Sequence, residues 1–267
     1  MRPGVMRVML CGIALALSMG SAYAQQPAAA GRPYAPPKTL EGQPDLQGVW
    51  RVWNHAADDL ESHQAGLGVP AAIGVVEGGA IPYQPSALAR KKQNFENSRT
   101  KDILKSADPL AKCYMPGVPR ITYLPFPFQI FQTAKQVSFL YEWTHVMRIA
   151  YLNPKQELLE GVDSYMGTSR ARWDGNTLVV DVTGLNDKTW LDAAGNFASA
   201  GLHVVERYTP LDPNTLRYEA TLEDPAVYTR PWKIGMTLHR QTEQPLLDYE
   251  CYMLLDESGI PLTWPRD

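Results

Sequence analysis

The run Thr177 to Thr183, TLVVDVT, is almost entirely β-branched or aliphatic and comes directly after Asp174-Gly175-Asn176. Branched side chains are stiff at χ1 and pack well on a pleated surface, so such a run forms a strand. Asp-Gly is a favoured two-residue connection whose backbone twist matches that of paired strands. Together they predict a hairpin with the segment 169–173. The same grammar recurs from residue 128 to the C terminus, with strands predicted at 128–133, 136–143, 145–152, 169–173, 177–183, 202–208, 215–222, 233–240 and 246–253, and an earlier one at 46–53. Alternation assigns faces. Leu216, Tyr218, Ala220 and Leu222 share one side of their strand, and Val137, Phe139, Tyr141 and Trp143 share one side of theirs. Short links between strands predict an antiparallel meander, and nine or ten strands suffice to close it into a barrel without exposed edges.

The chain before the meander is of another kind. Arg2 and Arg7, then the apolar Val8 to Leu17 and Ala22-Tyr23-Ala24, read as a signal peptide cleaved after Ala24. The apolar run is shorter than the ~20 residues a membrane helix needs, and Cys11 lies within it. Gln25 to Pro44 is rich in Ala, Pro and Gly and reads as a disordered leader, which leaves a single domain over 45–267. The five-glycine stretch 64–82 reads as a long loop. Residues 86–105 form the one helix candidate, with Leu88, Phe95, Ile103 and Leu104 on a sparse apolar face expected to lie across the sheet.

Charge and cysteines bound the function. After Ala24 there are 28 acidic and 23 basic residues, a formal charge of −5, and no basic stripe, which argues against a nucleic-acid partner. In an exported chain the two remaining cysteines, Cys113 and Cys251, favour a disulfide over two free thiols. The signal implies periplasmic or secreted localisation.

Gly48-Val49-Trp50 at the head of the first strand resembles the G-x-W signature of lipocalins, and implies a calycin-like barrel whose closed end is plugged by Trp50 beneath an arginine. The motifs GQPDLQGVW, CYMPGVPR, PFQIFQT, LYEWTHVMR, RWDGNTLVVDVTGLNDKTWLD, LHVVERY and YTRPW are similar to those of a widespread family of secreted proteins from soil proteobacteria and acidobacteria. The resemblance spans roughly 41–255 and implies export and the domain limits, but no particular reaction. Where members carry a His-Pro pair after the fourth motif, this chain has Leu152-Asn153-Pro154-Lys155, so no role for that histidine transfers.

Two groups of residues carry candidate chemistry. Glu142, His145 and Arg148 fall within seven residues and offer a base, an acid and an anion clamp. Strand parity sets Glu142 and His145 on opposite sides, so a bulge or turn near Trp143-Thr144 is required to unite them. The second group is the polar segment after Val182, with Asn186, Asp187, Trp190 and Asp192. A returning strand is expected to bring His203 close to Asp187 or Asp192, with Arg207 on the same side as His203. Aromatic residues, among them Tyr141, Trp143, Tyr151 and Trp190, are expected to line a pocket. His55, His63, His145, His203 and His239 show no metal-binding spacing, and no glycine-rich dinucleotide loop occurs, so no cofactor is expected. The composite reading is a cofactor-free acid–base enzyme of lyase, isomerase or hydrolase type acting on a small apolar or aromatic molecule. Its alternative is a non-catalytic lipocalin-like binding protein for such a molecule.

Overall fold

The computed structural model describes residues 34–66, 70–98, 106–153, 155 and 161–251. The expected signal and the leader as far as residue 33 lie outside them. Nine strands are present among the described residues: β1 (Gly48–Val52), β2 (Phe128–Gln132), β3 (Gln136–Tyr141), β4 (Met147–Tyr151), β5 (Thr168–Asp174), β6 (Thr177–Thr183), β7 (His203–Asp212), β8 (Thr215–Glu223) and β9 (Trp232–Gln241). They pair in chain order and close into a barrel, with Trp50 opposite Arg240 and Val52 opposite Leu238 where β9 meets β1. Closure gives every strand a partner on both sides. The predicted strand at 246–253 does not form in its described part. Its described residues contribute a single parallel bridge, Trp143 to Tyr249.

The meander is antiparallel except at one seam. β4 and β5 run parallel, with Ala150 opposite Ser169 and Tyr151 opposite Arg170. β5 therefore sets out from the same end of the barrel as β4, as a parallel pair requires. The hairpin between β5 and β6 is tighter by one residue than the motif suggests. Asp174 pairs with Thr177, so the two-residue loop is Gly175-Asn176, and Gly175 takes φ +59° at no steric cost.

Trp50 closes one end of the barrel. It is buried, its indole N–H donates to the Leu46 carbonyl at 2.9 Å, and the Arg240 guanidinium lies over its ring at 4.3 Å. Arg240 is itself pinned, donating from Nη1 to Gln47 O at 2.7 Å and from Nε to Pro213 O at 2.8 Å. This explains Gly48: a Cβ there would stand 2.0 Å from Arg240 Nη1, on a backbone with φ +133°. The arginine expected above Trp50 is therefore Arg240. Residues 34–44 lie against this end, where the Gln132 side-chain amide donates to Pro44 O at 2.9 Å.

The other end, the mouth, is covered by the segment leading into β2 and by the loop between β6 and β7. A 3-10 turn, Arg120–Tyr123, is wholly buried. The Arg120 guanidinium reaches both oxygens of Asp108 at 2.8 Å, and Asp108 also accepts from Leu110 N. Tyr123 donates to the Leu191 carbonyl at 2.7 Å, joining this turn to the loop after β6. The helix α1 (Pro85–Ser98) docks on that loop and not across the sheet. Arg90 stacks 4.3 Å over Phe197, and the Asn94 amide donates to Gly195 O at 3.1 Å. Ala87 is its buried residue, while Leu88 faces outward; 99–105 lie outside the described residues. Part of the predicted glycine-rich loop joins the wall. Because β1 is short, the first half of β9 has an open edge, which Val75 and Glu77 fill through bonds to Gly235 and Lys233. Cys113 and Cys251 form a disulfide, separated by 138 residues in sequence.

Candidate functional site

The alternation that puts Val204 and Tyr208 inside the barrel puts Glu206 there as well, wholly buried. Arg148, on the inner face of β4, meets it with Nη2 on Glu206 Oε2. The other carboxylate oxygen accepts from Tyr208 Oη at 3.0 Å and Tyr218 Oη at 2.8 Å. Both oxygens thus serve as acceptors, the arrangement suited to a carboxylate. Arg148 Nε donates to Ser169 Oγ at 2.9 Å, and its guanidinium lies 5.4 Å from the centre of Phe139. Arg148 Nη1 is buried and has no hydrogen-bond partner.

Rings surround this pair. Tyr208 lies 5.4 Å from Phe139 and 5.0 Å from Tyr218, and Phe128 lies 5.1 Å from Tyr141. Tyr141 comes within 3.4 Å of Thr122 Oγ1 on the plugging turn. Burial pushes the Tyr208 and Tyr218 phenols well up, and the Glu206 charge adds to the rise. Burial alone would lower the Arg148 pKa, but the facing carboxylate outweighs it and the result is raised. The Tyr141 phenol is also raised by burial, with Arg148 opposing the rise. The barrel centre is therefore a neutralised ion pair held by proton-bearing phenols.

A second polar knot sits in the mouth. Asp192 is wholly buried and accepts from Leu60 N at 2.9 Å, Asn196 N at 3.0 Å and Asn196 Nδ2 at 2.6 Å. Burial and the neighbouring Asp59 raise its pKa to about 7, against the opposing hydrogen bonds. Tyr83 donates to Asn196 Oδ1 at 3.0 Å and so ties the knot to the segment before α1. Trp190 is buried here and bridges to Phe197.

No protein-family model matches the chain, and neither does any curated protein. The reading of the site rests on its residues.

The sequence-derived candidates fall into five places. Tyr141 and Arg148 meet in the barrel, and Trp190 and Asp192 in the mouth. Asn186 and Asp187 stay at the surface, where Asn186 Oδ1 accepts from Lys188 N at 3.1 Å. Glu142, Trp143 and His145 occupy the corner between β3 and β4. A turn does form there, with Thr144 at φ +49° and His145 at φ +54°, but it carries His145 out towards Asp248 at 3.5 Å. Glu142 instead accepts from Leu247 N at 2.8 Å, and Trp143 stacks on Tyr249.

His203, Arg207 and Tyr151 lie on the outer wall. His203 pairs with Asp181 at 3.0 Å and Glu223 at 4.0 Å, and Arg207 with Asp174 at 2.8 Å. The expected approach of His203 to Asp187 or Asp192 is replaced by these contacts, since odd positions of β7 face away from the interior. Tyr151, with Arg170, Arg172 and Val205, lines a depression on this outer surface. Among the described residues no group of three or more His, Cys, Asp or Glu is placed to hold a metal ion. Sequence reasoning set no role on Glu206, Tyr208, Ser169 or Thr122. The readable signal was Glu206 itself, a charge at an apolar position of an alternating strand.

Proposed function

We propose that this is an exported lipocalin-like barrel that binds a small, largely apolar or aromatic molecule in its interior. The observation that carries the reading is the Arg148–Glu206 pair, buried among rings with one guanidinium nitrogen, Nη1, lacking a hydrogen-bond partner. Folding alone does not favour such a pair, because well-packed apolar residues in its place are often neutral or stabilising. Breaches of local consistency of this kind concentrate at functional sites. Binding is favoured over turnover because the acid–base pairs suggested by the sequence do not assemble. Both histidines concerned face outward, and Glu142 is committed to a backbone amide. Export is supported by the signal-like N terminus and the disulfide. Among the described residues no helix is long and apolar enough to cross a membrane.

Calorimetric titration and thermal denaturation of the chain from Gln25, with naphthalene, biphenyl and flavone compounds, test the reading. A ligand at a hundredfold its Kd should add about 2.7 kcal/mol. For a domain of this size each kcal/mol raises Tm by about 2–4 °C. Replacing both charges together, as R148M/E206L, should weaken binding while the barrel persists. Absence of any binder, or equal affinity in the double variant, rejects the reading. Chemical conversion of a bound compound would restore the enzyme alternative.

A further inference from the structure

Resting on that reading, we infer that the interior site selects neutral carbonyl compounds, aromatic ketones, aldehydes or quinones, over the corresponding carboxylates. The spare donor is Arg148 Nη1, buried and without a partner. An arginine alone in an apolar barrel would attract a carboxylate. This one is already neutralised by Glu206 through Nη2. Glu206 in turn accepts from two phenols on its other oxygen, which hold it in place beside Arg148. Arg120 in the plug is likewise neutralised, by Asp108.

A bound carboxylate would therefore leave one uncompensated negative charge beside Glu206 in a water-poor interior, which is costly. A carbonyl oxygen accepts the same N–H with no added charge. The walls suit a planar apolar body: Phe139 lies under the guanidinium, and Phe128 and Tyr141 stand nearby. The Tyr141 hydroxyl, whose contact to Thr122 is long at 3.4 Å, is a second polar group beside Arg148. Glu206 thus acts as a specificity residue by cancelling a charge, without touching the ligand.

Three ligands of one shape decide the matter: 2-acetylnaphthalene, 2-naphthoate and 2-ethylnaphthalene, titrated by calorimetry at pH 7 into the disulfide-bonded protein. The ketone should bind at least about tenfold tighter than the carboxylate, given the cost of burying an unpaired charge, and measurably tighter than the hydrocarbon. In E206Q the counter-charge is gone, so the order of ketone and carboxylate should reverse. Carboxylate binding as tightly as ketone in the wild type overturns the inference while leaving the binding function standing. Equal affinity for ketone and hydrocarbon overturns it too, as does an unchanged preference in a folded E206Q. If E206Q does not fold, the wild-type comparison alone decides. Failure of all three to bind rejects the binding reading itself.

Discussion

At the scale of single residues, two positions are held by their surroundings more firmly than by their neighbours in sequence. Gly48 combines φ +133° with the closest approach of Arg240. Gly48→Ala should therefore lower stability by about 1–3 kcal/mol, the cost of a strained backbone position, seen as a lower denaturation midpoint. Asp192 has a folded-state pKa of about 7, above its ordinary value of 3.8. The folded protein thus binds a proton that the unfolded chain releases. The associated stability is full below about pH 4, declines as pH rises towards 7, and is lost above it. Relative to Asp192→Asn, wild-type unfolding free energy should fall across that window and level off beyond it. A difference that is flat from pH 4 to 8 would show that Asp192 ionises normally. Its three hydrogen bonds join the segments around Leu60 and Asn196, so the effect should appear first as faster amide exchange in those segments.

At the scale of elements, the β3–β4 connection is the informative case. Thr144 and His145 both take positive φ, with Val146 N donating back to Trp143 O at 3.3 Å, the pattern of a type I′ turn. That turn favours Asn-Gly, and a β-branched residue is the poorest choice at its first central position. The C-terminal segment compensates: Thr144 N donates to Tyr249 O at 2.9 Å, and Tyr249 packs between Phe126 and Trp143. Thr144→Asn with His145→Gly should stabilise the protein by about 1–2 kcal/mol, since positive φ costs an ordinary residue roughly that much. Ligand binding should be unaffected. Loss of binding at unchanged stability would instead return His145 to the site.

At the scale of the whole molecule, the disulfide links Cys113, in the segment that leads to the plug, to the C-terminal segment that packs on Trp143 through Tyr249. Its two cysteines are 138 residues apart, so the loop it closes is long. Reduction should lower the free energy of unfolding by up to about 5 kcal/mol in the loop-entropy account. Denaturant titrations with and without dithiothreitol measure the difference, and non-reducing mass spectrometry finding two free thiols would refute the bridge.

The sequence by itself determined the nine barrel strands, though not the absence of one at 246–251, because β-branched runs, turn residues and period-two alternation are local properties. The resemblance to the lipocalin G-x-W signature pointed to Trp50 as the closing residue, and the two cysteines after Ala24 left one pairing open. The sequence reached Tyr141 and Arg148 as site candidates but paired them with the wrong neighbours. Parity already warned that Glu142 and His145 face apart, yet only the turn geometry decided where His145 points. Arg148 and Glu206 are 58 residues apart and meet across the barrel. Nothing local encodes that meeting, which depends on closure, on strand register and on the parallel seam between β4 and β5. Burial of Asp192 likewise depends on the plug arriving over it from the chain before β2. Alternation fixes which side a residue faces; only the closed barrel fixes what it faces there.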